Sequence, residues 1–447
     1  MNARQLALKV IYQVNEEGAF ANLALDKILL ENKLANPKDK GLATELVYGS
    51  IKYRGYLDWV LDQFAKPKVK NMAPWIRNIL RLGLYQLLFL DKVPVSAAIN
   101  ESVKLAKKYG HPGTVKFVNG VLINIERNKD NLAIPDVQKS PVEYLSVIFS
   151  FPQWLAKMWV EKYGVKNALK LADYFNQPSP LWIRANTLKI TSDELCEKLE
   201  KKGIKTVKSS KAPEGLEILD SVEIGKLEEF RQGYFTVQDE SSMLVSHVVA
   251  PQSGQVILDV CSGPGGKTSH LAQLMGNKGR ILAFDVHQHR LKLIQDTCRR
   301  LGITNVETIL KDARFLSQFI HEPADAVLVD APCSGLGVLG RRPDARWRKS
   351  HEDIRELQII QKEIIQEAAK LVKPGGTLVY STCTTTVEEN NQVIEDFLAN
   401  NKEFYLDKDL NKYLPYQTEE GSQGWIQFLP FIHNTDGFFI ARMKRRK

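Results

Sequence analysis

The chain is 447 residues long, 44% apolar and 25% charged, with a formal net charge of +9. That size predicts about three domains, the composition is that of an ordinary globular protein, and no apolar run approaches the roughly 18 residues of a membrane span. Five cysteines, an odd count at wide spacing with no CxxC, exclude a disulfide framework and a zinc ribbon and fit a reducing cytoplasm.

Residues 1–130 are predicted to be all-helical. Apolar residues recur at helical spacing in ALKVIYQV (7–14), NLALDKILL (22–30) and PWIRNILRLGLYQLLFL (74–90). The opening MNARQLALKVIYQVNEEG lacks the apolar core and cleavage site of a signal peptide and is expected to be the first helix. Breaks fall at 31–41, 65–74 and 107–113, and Pro74 and Pro94 suit helix starts, where a missing amide costs nothing. The positive charge is concentrated here: residues 1–135 carry 20 Lys and Arg against 12 Asp and Glu, and the remainder 41 against 40. A polyanion partner is therefore expected of this segment, although for any single lysine a merely solubilising surface is the plainer reading.

The polar stretch 126–141 is the first candidate linker. Residues 150–164 and 168–176 then read as helices, 180–190 as a strand, 191–203 as a capped helix ending at Gly203, and 214–220 and 233–239 as strands. A small α+β module is the simplest assembly. From about residue 240 strands and helices alternate, with strands expected at 255–260, 280–286, 305–312, 324–330, 376–382 and a late pair near 425–443. This is the doubly wound α/β pattern, which binds ligands beyond the carboxyl ends of its strands. The expected domains are thus 1–135, 136–239 and 240–447.

The string ILDVCSGPGGKT (257–268) leaves a strand and opens a helix. Its glycines let backbone approach a ligand, and helix amides point at it. Asp285 ends the next strand, where a carboxylate can accept a ribose hydroxyl, and Asp312 ends the third, within reach of an adenine amino group. A dinucleotide fingerprint fails because Thr268 stands where its third glycine belongs. A Walker A loop matches at Gly266, Lys267 and Thr268 but has Cys261 in place of its first glycine, so this loop alone leaves an NTPase open. S-adenosylmethionine is the favoured cofactor. Asp259, Asp285, Asp312 and Asp330 end successive strands, and a nucleoside without phosphates tolerates acids beside the loop. A plain strand-to-helix turn would not require so many glycines.

Two more strings follow apolar runs: DAPCSG (330–335) and YSTCTTTVEEN (380–390). A thiolate added to carbon 6 of a cytosine turns the ring into an enamine whose carbon 5 can attack a methyl sulfonium. That chemistry needs an ionised cysteine, a proton donor near ring nitrogen 3 and a neighbouring methyl donor. Cys383 suits the nucleophile. Thr385 with Glu388, or Thr386 with Glu389, is expected to form a capping box just beyond it, and a helix start favours a thiolate. Cys333 ends the preceding strand, and neighbouring strands lie about 4.8 Å apart, so the two thiols and Asp330 can face one base if those strands pair. From residue types alone, which of Cys333 and Cys383 attacks stays open. A lone cysteine is usually an inert core residue, but two at two strand ends on the ligand side make that the minority case. Between them, Arg341, Arg342, Arg346, Arg348 and Lys349 with Trp347 form a basic loop suited to phosphates and base stacking. A solvated loop is the alternative. The eight histidines form no HExxH, the HQH at 287–289 reads as a solvated helix start, and no metal is expected.

These strings resemble the RNA cytosine-5 methyltransferase family, and within it the RsmB (Sun/Fmu) group acting on bacterial 16S ribosomal RNA. The resemblance covers nearly the whole chain. It implies a NusB-like helical RNA-binding domain, an RRM-like α+β module and a Rossmann-type methyltransferase domain. It assigns Cys261, Ser262, Gly263, Pro264, Gly265, Gly266, Lys267, Asp285, Asp312 and Asp330 to S-adenosylmethionine. Cys383, in the TC motif, becomes the nucleophile; Cys333, in the PC motif, assists product release; Lys267 and Asp330 orient the base or assist protonation. RRPDARWR and HNTDGFFIA (433–441) match as well. Ser262 and Gly263 stand where the family often has alanines. The expected partner is 16S ribosomal RNA or a small-subunit precursor, engaged by a cytoplasmic monomer. Methylation of tRNA or another RNA, a non-catalytic antitermination-type RNA-binding factor, and a P-loop NTPase are the alternatives.

Overall fold

The computed structural model describes residues 1–32, 36–414 and 417–447. It divides into two compact units: Met1–Pro178 with Leu339–Lys349, and Ser179–Val338 with Ser350–Lys447. The first is helical, with Ala3–Glu16, Ala21–Glu31, Pro37–Lys52, Arg54–Phe64, Pro74–Phe89, Val95–Tyr109, Pro112–Asn128, Pro141–Ile148 and Gln153–Asn176. Local chemistry sets the starts. Asn2 caps the first helix in a reciprocal box with Gln5, and Pro37, Pro74, Pro112 and Pro141 open helices where no amide is needed. Pro94 stands one residue earlier, as the cap of Val95–Tyr109. Of the break expected at 31–41, residues 33–35 lie outside the described residues. The two helices expected at 150–164 and 168–176 lie within Gln153–Asn176 and are separated at Gly164, whose φ of +72° and ψ of 161° are non-helical. The apolar stripes of the first seven helices bury a shared core that includes Leu6, Val10, Leu46, Leu57, Ile79 and Leu122, and the last two bury Leu145, Trp159, Leu171 and Phe175. No helix among the described residues is long and apolar enough to cross a membrane.

The second unit holds two sheets. Strands β1 (Leu181–Ala185), β2 (Thr206–Lys208), β3 (Gly215–Ile218) and β4 (Phe235–Val237) form an antiparallel sheet in the order β2-β3-β1-β4. β2 is too short and exposed to show an apolar pattern in the sequence. The helix Ser192–Glu200 has the capping box of Thr191 and Glu194, as its sequence predicts. The larger sheet comprises β5 (Val256–Asp259), β6 (Arg280–Asp285), β7 (Val306–Leu310), β8 (Ala324–Asp330), β9 (Val372–Thr382), β10 (Phe404–Leu406), β11 (Trp425–Phe428) and β12 (Phe438–Arg445). Its order is β10-β12-β9-β8-β5-β6-β7, with β11 on β12. β5 to β9 run parallel to their neighbours, while β12 is antiparallel to β9. Both faces of the sheet are covered, so its central strands are near-continuous apolar runs.

Arg184 of β1 ties the small sheet to the larger one. Fully buried, it donates to Gly266 O at 2.7 Å and Ser269 Oγ at 2.9 Å, on the first turns of the helix Gly266–Leu274. Burial lowers its guanidinium to about 9. The start of the helix that follows the glycine loop is thereby anchored to β1.

Candidate active site

The loop after β5 turns tightly back over β6. Ser262 N–H and Oγ–H both donate to Phe284 O at 2.9 Å, and Gly263 N–H donates to Asp285 Oδ2 at 3.2 Å. A Cβ on Gly263 would fall 2.4 Å from Asp285 Oδ2, so only glycine lets the loop lie this close to the acid. Gly265 has φ of +101° and begins the helix Gly266–Leu274. Asp285 also accepts from His287 N–H at 2.8 Å. Asp312 caps its own turn and pairs with Arg314 at 2.7 Å, which holds its carboxyl below the usual range. Asp259 is fully buried. Thr268 Oγ1–H donates to its Oδ2 at 2.7 Å, and Oδ1 has no hydrogen-bond partner among the described residues. Burial pushes this carboxyl up to about 7. Burial and the carboxylates of Asp259, Asp330, Asp285 and Asp312 push the Cys261 thiol far up, so Cys261 stays neutral.

β8 and β9 pair in parallel with Asp330 opposite Ser381, and the cysteine loops leave from this shared end. Cys333 Sγ and Cys383 Sγ are 3.3 Å apart. Lys267 Nζ donates to Asp330 Oδ2 at 2.8 Å, and Ser381 Oγ–H donates to Oδ1 at 2.9 Å. Burial alone would lower the Lys267 ammonium. The attraction and hydrogen bond of Asp330, with the charge of Cys383, outweigh it and raise it instead. The hydrogen bond from the Cys383 sulfur, burial, and the charges of Cys383 and Glu389 hold the Cys333 thiol well above its usual range. One thiol thus faces an ammonium and the other a carboxylate.

The capping box expected beyond Cys383 does not form a helix start. Residues 384–390 are non-helical, and the next helix is Asn391–Asn400, whose N-cap residue Asn390 makes no side-chain capping bond. Proximity to a helix dipole therefore gives no reason to ionise Cys383. The physical cause lies with the side chains. Thr386 Oγ1–H does reach Glu389 Oε2 at 2.8 Å, but the same carboxylate accepts from Ser334 N–H, and Asn390 accepts from Thr382 Oγ1–H and donates to Thr384 O. Long-range bonds outcompete the local cap. Glu389 was singled out only as a helix-capping partner, and Ser334, Thr384 and Gln361 were not singled out as site residues. Two acids after a cysteine were the available signal, and a capping box accounts for them equally well.

The basic segment requires a second correction. Leu339–Lys349 belongs to the helical unit. Arg346 is fully buried and donates to Ser150 O at 3.2 Å and Asn176 Oδ1 at 3.1 Å, with its guanidinium 4.0 Å over the Phe151 ring. Burial lowers it to about 9. Trp347 Nε1–H donates to Ile51 O at 2.8 Å, and Arg54 lies 4.4 Å over its ring. Arg346 is therefore not available to nucleic acid, while Trp347 is half-buried against the helical unit. Arg341 is half-buried, Arg342 is exposed, and Arg348 lies 3.9 Å over Phe20.

Three family models match the chain: the 16S rRNA methyltransferase RsmB/F over residues 246–444, the NusB family over 1–127, and the RsmF/B-like ferredoxin-like domain over 151–225. The probable ribosomal RNA small subunit methyltransferase B of Bacillus subtilis (strain 168) is 39% identical over 447 residues, spanning 100% of this chain and 99% of that protein. The ribosomal RNA small subunit methyltransferase B of Escherichia coli O6:K15:H31 is 32% identical over 449 residues, with the same coverage. Among solved structures, that of PH0851 superposes with a TM-score of 0.83 at 30% identity, covering 100% of this chain and 99% of that one. The structure of NSun6 from Pyrococcus horikoshii with SFG superposes with a TM-score of 0.60 at 27% identity, covering 67% and 100%.

Proposed function

This chain belongs to the ribosomal RNA small subunit methyltransferase B family, and on that premise we propose that it methylates carbon 5 of a cytosine in 16S ribosomal RNA through a covalent bond to Cys383. The observation that carries the proposal is the 3.3 Å separation of two thiols at the ends of paired parallel strands, beside the Lys267–Asp330 pair.

S-adenosylmethionine, when bound, supplies an electrophilic methyl group. The residues fit it. The close approach at Gly263 leaves room for no side chain, and the acids at or just beyond the ends of β6, β7 and β8 suit an uncharged ribose and a cationic sulfonium. Residues Cys261–Lys267 with Asp285, Asp312 and Asp330 are the proposed binding set. SFG, an analogue of this cofactor, accompanies the NSun6 structure.

In the proposed sequence, the Cys383 thiolate adds to cytosine carbon 6, and carbon 5 accepts the methyl group. A base then removes the carbon-5 proton, and the bond from sulfur to carbon 6 breaks to return the thiolate. The ammonium of Lys267 favours that thiolate. Asp330, fixed by Lys267 and Ser381, orients the base and assists its protonation. Cys333, held as a neutral thiol, assists release of the product. The basic helical segment 1–135 provides the RNA-binding charge, and Arg341, Arg342 and Arg348 remain candidates for phosphate contact. The proposed domains are 1–135, 136–239 and 240–447.

The test is transfer of labelled methyl from S-adenosylmethionine to 16S rRNA, with bisulfite sequencing of the product. Cys383→Ala is expected to abolish transfer while RNA binding persists. Full turnover by Cys383→Ala contradicts the mechanism.

A further inference from the structure

Glu389 is completely buried, and its carboxylate accepts four hydrogen bonds. Oε1 accepts from Ser334 N–H at 2.7 Å and Gln361 Nε2 at 3.1 Å; Oε2 accepts from Ser334 Oγ–H at 2.5 Å and Thr386 Oγ1–H at 2.8 Å. The donors are an amide, a side-chain amide and two hydroxyls, which is the complement an ionised carboxylate requires. They converge from three places: the loop after Cys333, the loop after Cys383, and the helix His351–Lys370. Gln361 also donates to Pro332 O at 2.9 Å, so Cys333 is held on both sides in sequence. Ser334 Oγ lies 2.8 Å from Thr384 Oγ1, and Gly337 N–H donates to Cys383 O at 3.0 Å. The residues following each cysteine are thus bonded to one another behind the thiols.

We propose that Glu389 is a positioning residue for methyl transfer: its carboxylate locks the loops of Cys333 and Cys383 together and presents negative charge to Cys333. The inference rests on the reading of Cys383 as nucleophile. The groups facing the Cys333 sulfur are Cys383 and Tyr380 from the strand β9 and its end, and Glu389 from the loop before Asn391–Asn400. Tyr380 OH donates to Glu389 O at 2.7 Å and is pushed far up by burial, so it adds no charge. The Lys267–Asp330 pair stands on the Cys383 side. A buried carboxylate beside one thiol and an ammonium beside the other divide the roles. Cys383 ionises and attacks, and Cys333 keeps its proton.

The test measures alkylation of Cys333 by iodoacetamide against pH, by peptide mass spectrometry, in Cys383→Ala and in Cys383→Ala with Glu389→Gln. Removing the carboxylate's charge is expected to raise the Cys333 alkylation rate at pH 8 by about tenfold, the effect of one unit in thiol pKa. Alongside it, Glu389→Gln alone is expected to lower kcat by about 100-fold with KM for the methyl donor unchanged. Identical alkylation profiles in the two backgrounds overturn the proposal. Should Glu389→Gln fail to fold, Ser334→Ala replaces it. That change keeps the charge and removes a donor, so Cys333 alkylation slows, and an unchanged rate overturns the proposal. The alkylation comparison requires no turnover, so it fails separately from the reading of Cys383, which falls if Cys383→Ala retains methyl transfer.

Discussion

Asp259 stands at the end of β5 with one oxygen bonded to Thr268 and the other without a partner among the described residues. Its carboxyl lies at about 7 in the folded chain, against about 4 in an unfolded one. Between those values the native state binds a proton that the unfolded state does not. The group's contribution to stability is therefore complete below about 4 and is lost as pH rises through the folded value. Asp259→Asn removes that dependence. The melting temperature of the variant is expected to vary less with pH between 4 and 8 than that of the parent, and identical slopes contradict the assignment. Acids at strand ends were legible in the sequence as a row (Asp259, Asp285, Asp312, Asp330). What each carboxylate bonds to was not, because Thr268, His287, Arg314 and Lys267 reach them only through the packed loop geometry.

Paired strands explain why two cysteines 50 positions apart in sequence come to lie at one place. The apolar runs before them identified β8 and β9, and the parallel pairing followed from the α/β alternation. The capping box at 385–389 was misread because a Thr-x-x-Glu spacing carries no information about a distant partner such as Ser334. The residue just before β12 is also part of the site, through a close approach that sequence patterning does not reveal. Gly437 N–H donates to Gly337 O at 2.8 Å, and a Cβ on Gly337 would lie 1.9 Å from Gly437 O. Gly337→Ala must move the loop that holds Cys383 O. It is expected to slow single-turnover methyl transfer by about 100-fold while calorimetric affinity for S-adenosylmethionine is unchanged. Unimpaired transfer would show that this contact does not position the thiol.

At the scale of the chain, the helical segment, the small α+β module and the α/β segment were legible from periodicity and charge. The destination of residues 339–349 was not. A run of arginines with a tryptophan reads as a nucleic-acid surface, yet Arg346 and Trp347 fasten that run into the helical unit by bonding carbonyls of Ser150 and Ile51. Arg346→Met takes the guanidinium donor from Ser150 O and Asn176 Oδ1 and is expected to destabilise the helical unit by about 2–4 kcal/mol, read by thermal melting. Arg342→Ala should leave melting unchanged and reduce the salt slope of RNA binding by about one. An Arg346→Met that melts like the parent contradicts the structural role. The central claim, that Cys383 carries the RNA, is tested most directly by incubating the Cys333→Ala protein with S-adenosylmethionine and 16S rRNA. Denaturing electrophoresis and mass spectrometry then locate the adduct. A covalent protein–RNA species is expected to accumulate with its link on the Cys383 peptide. No adduct, or a link on any other peptide, contradicts the account.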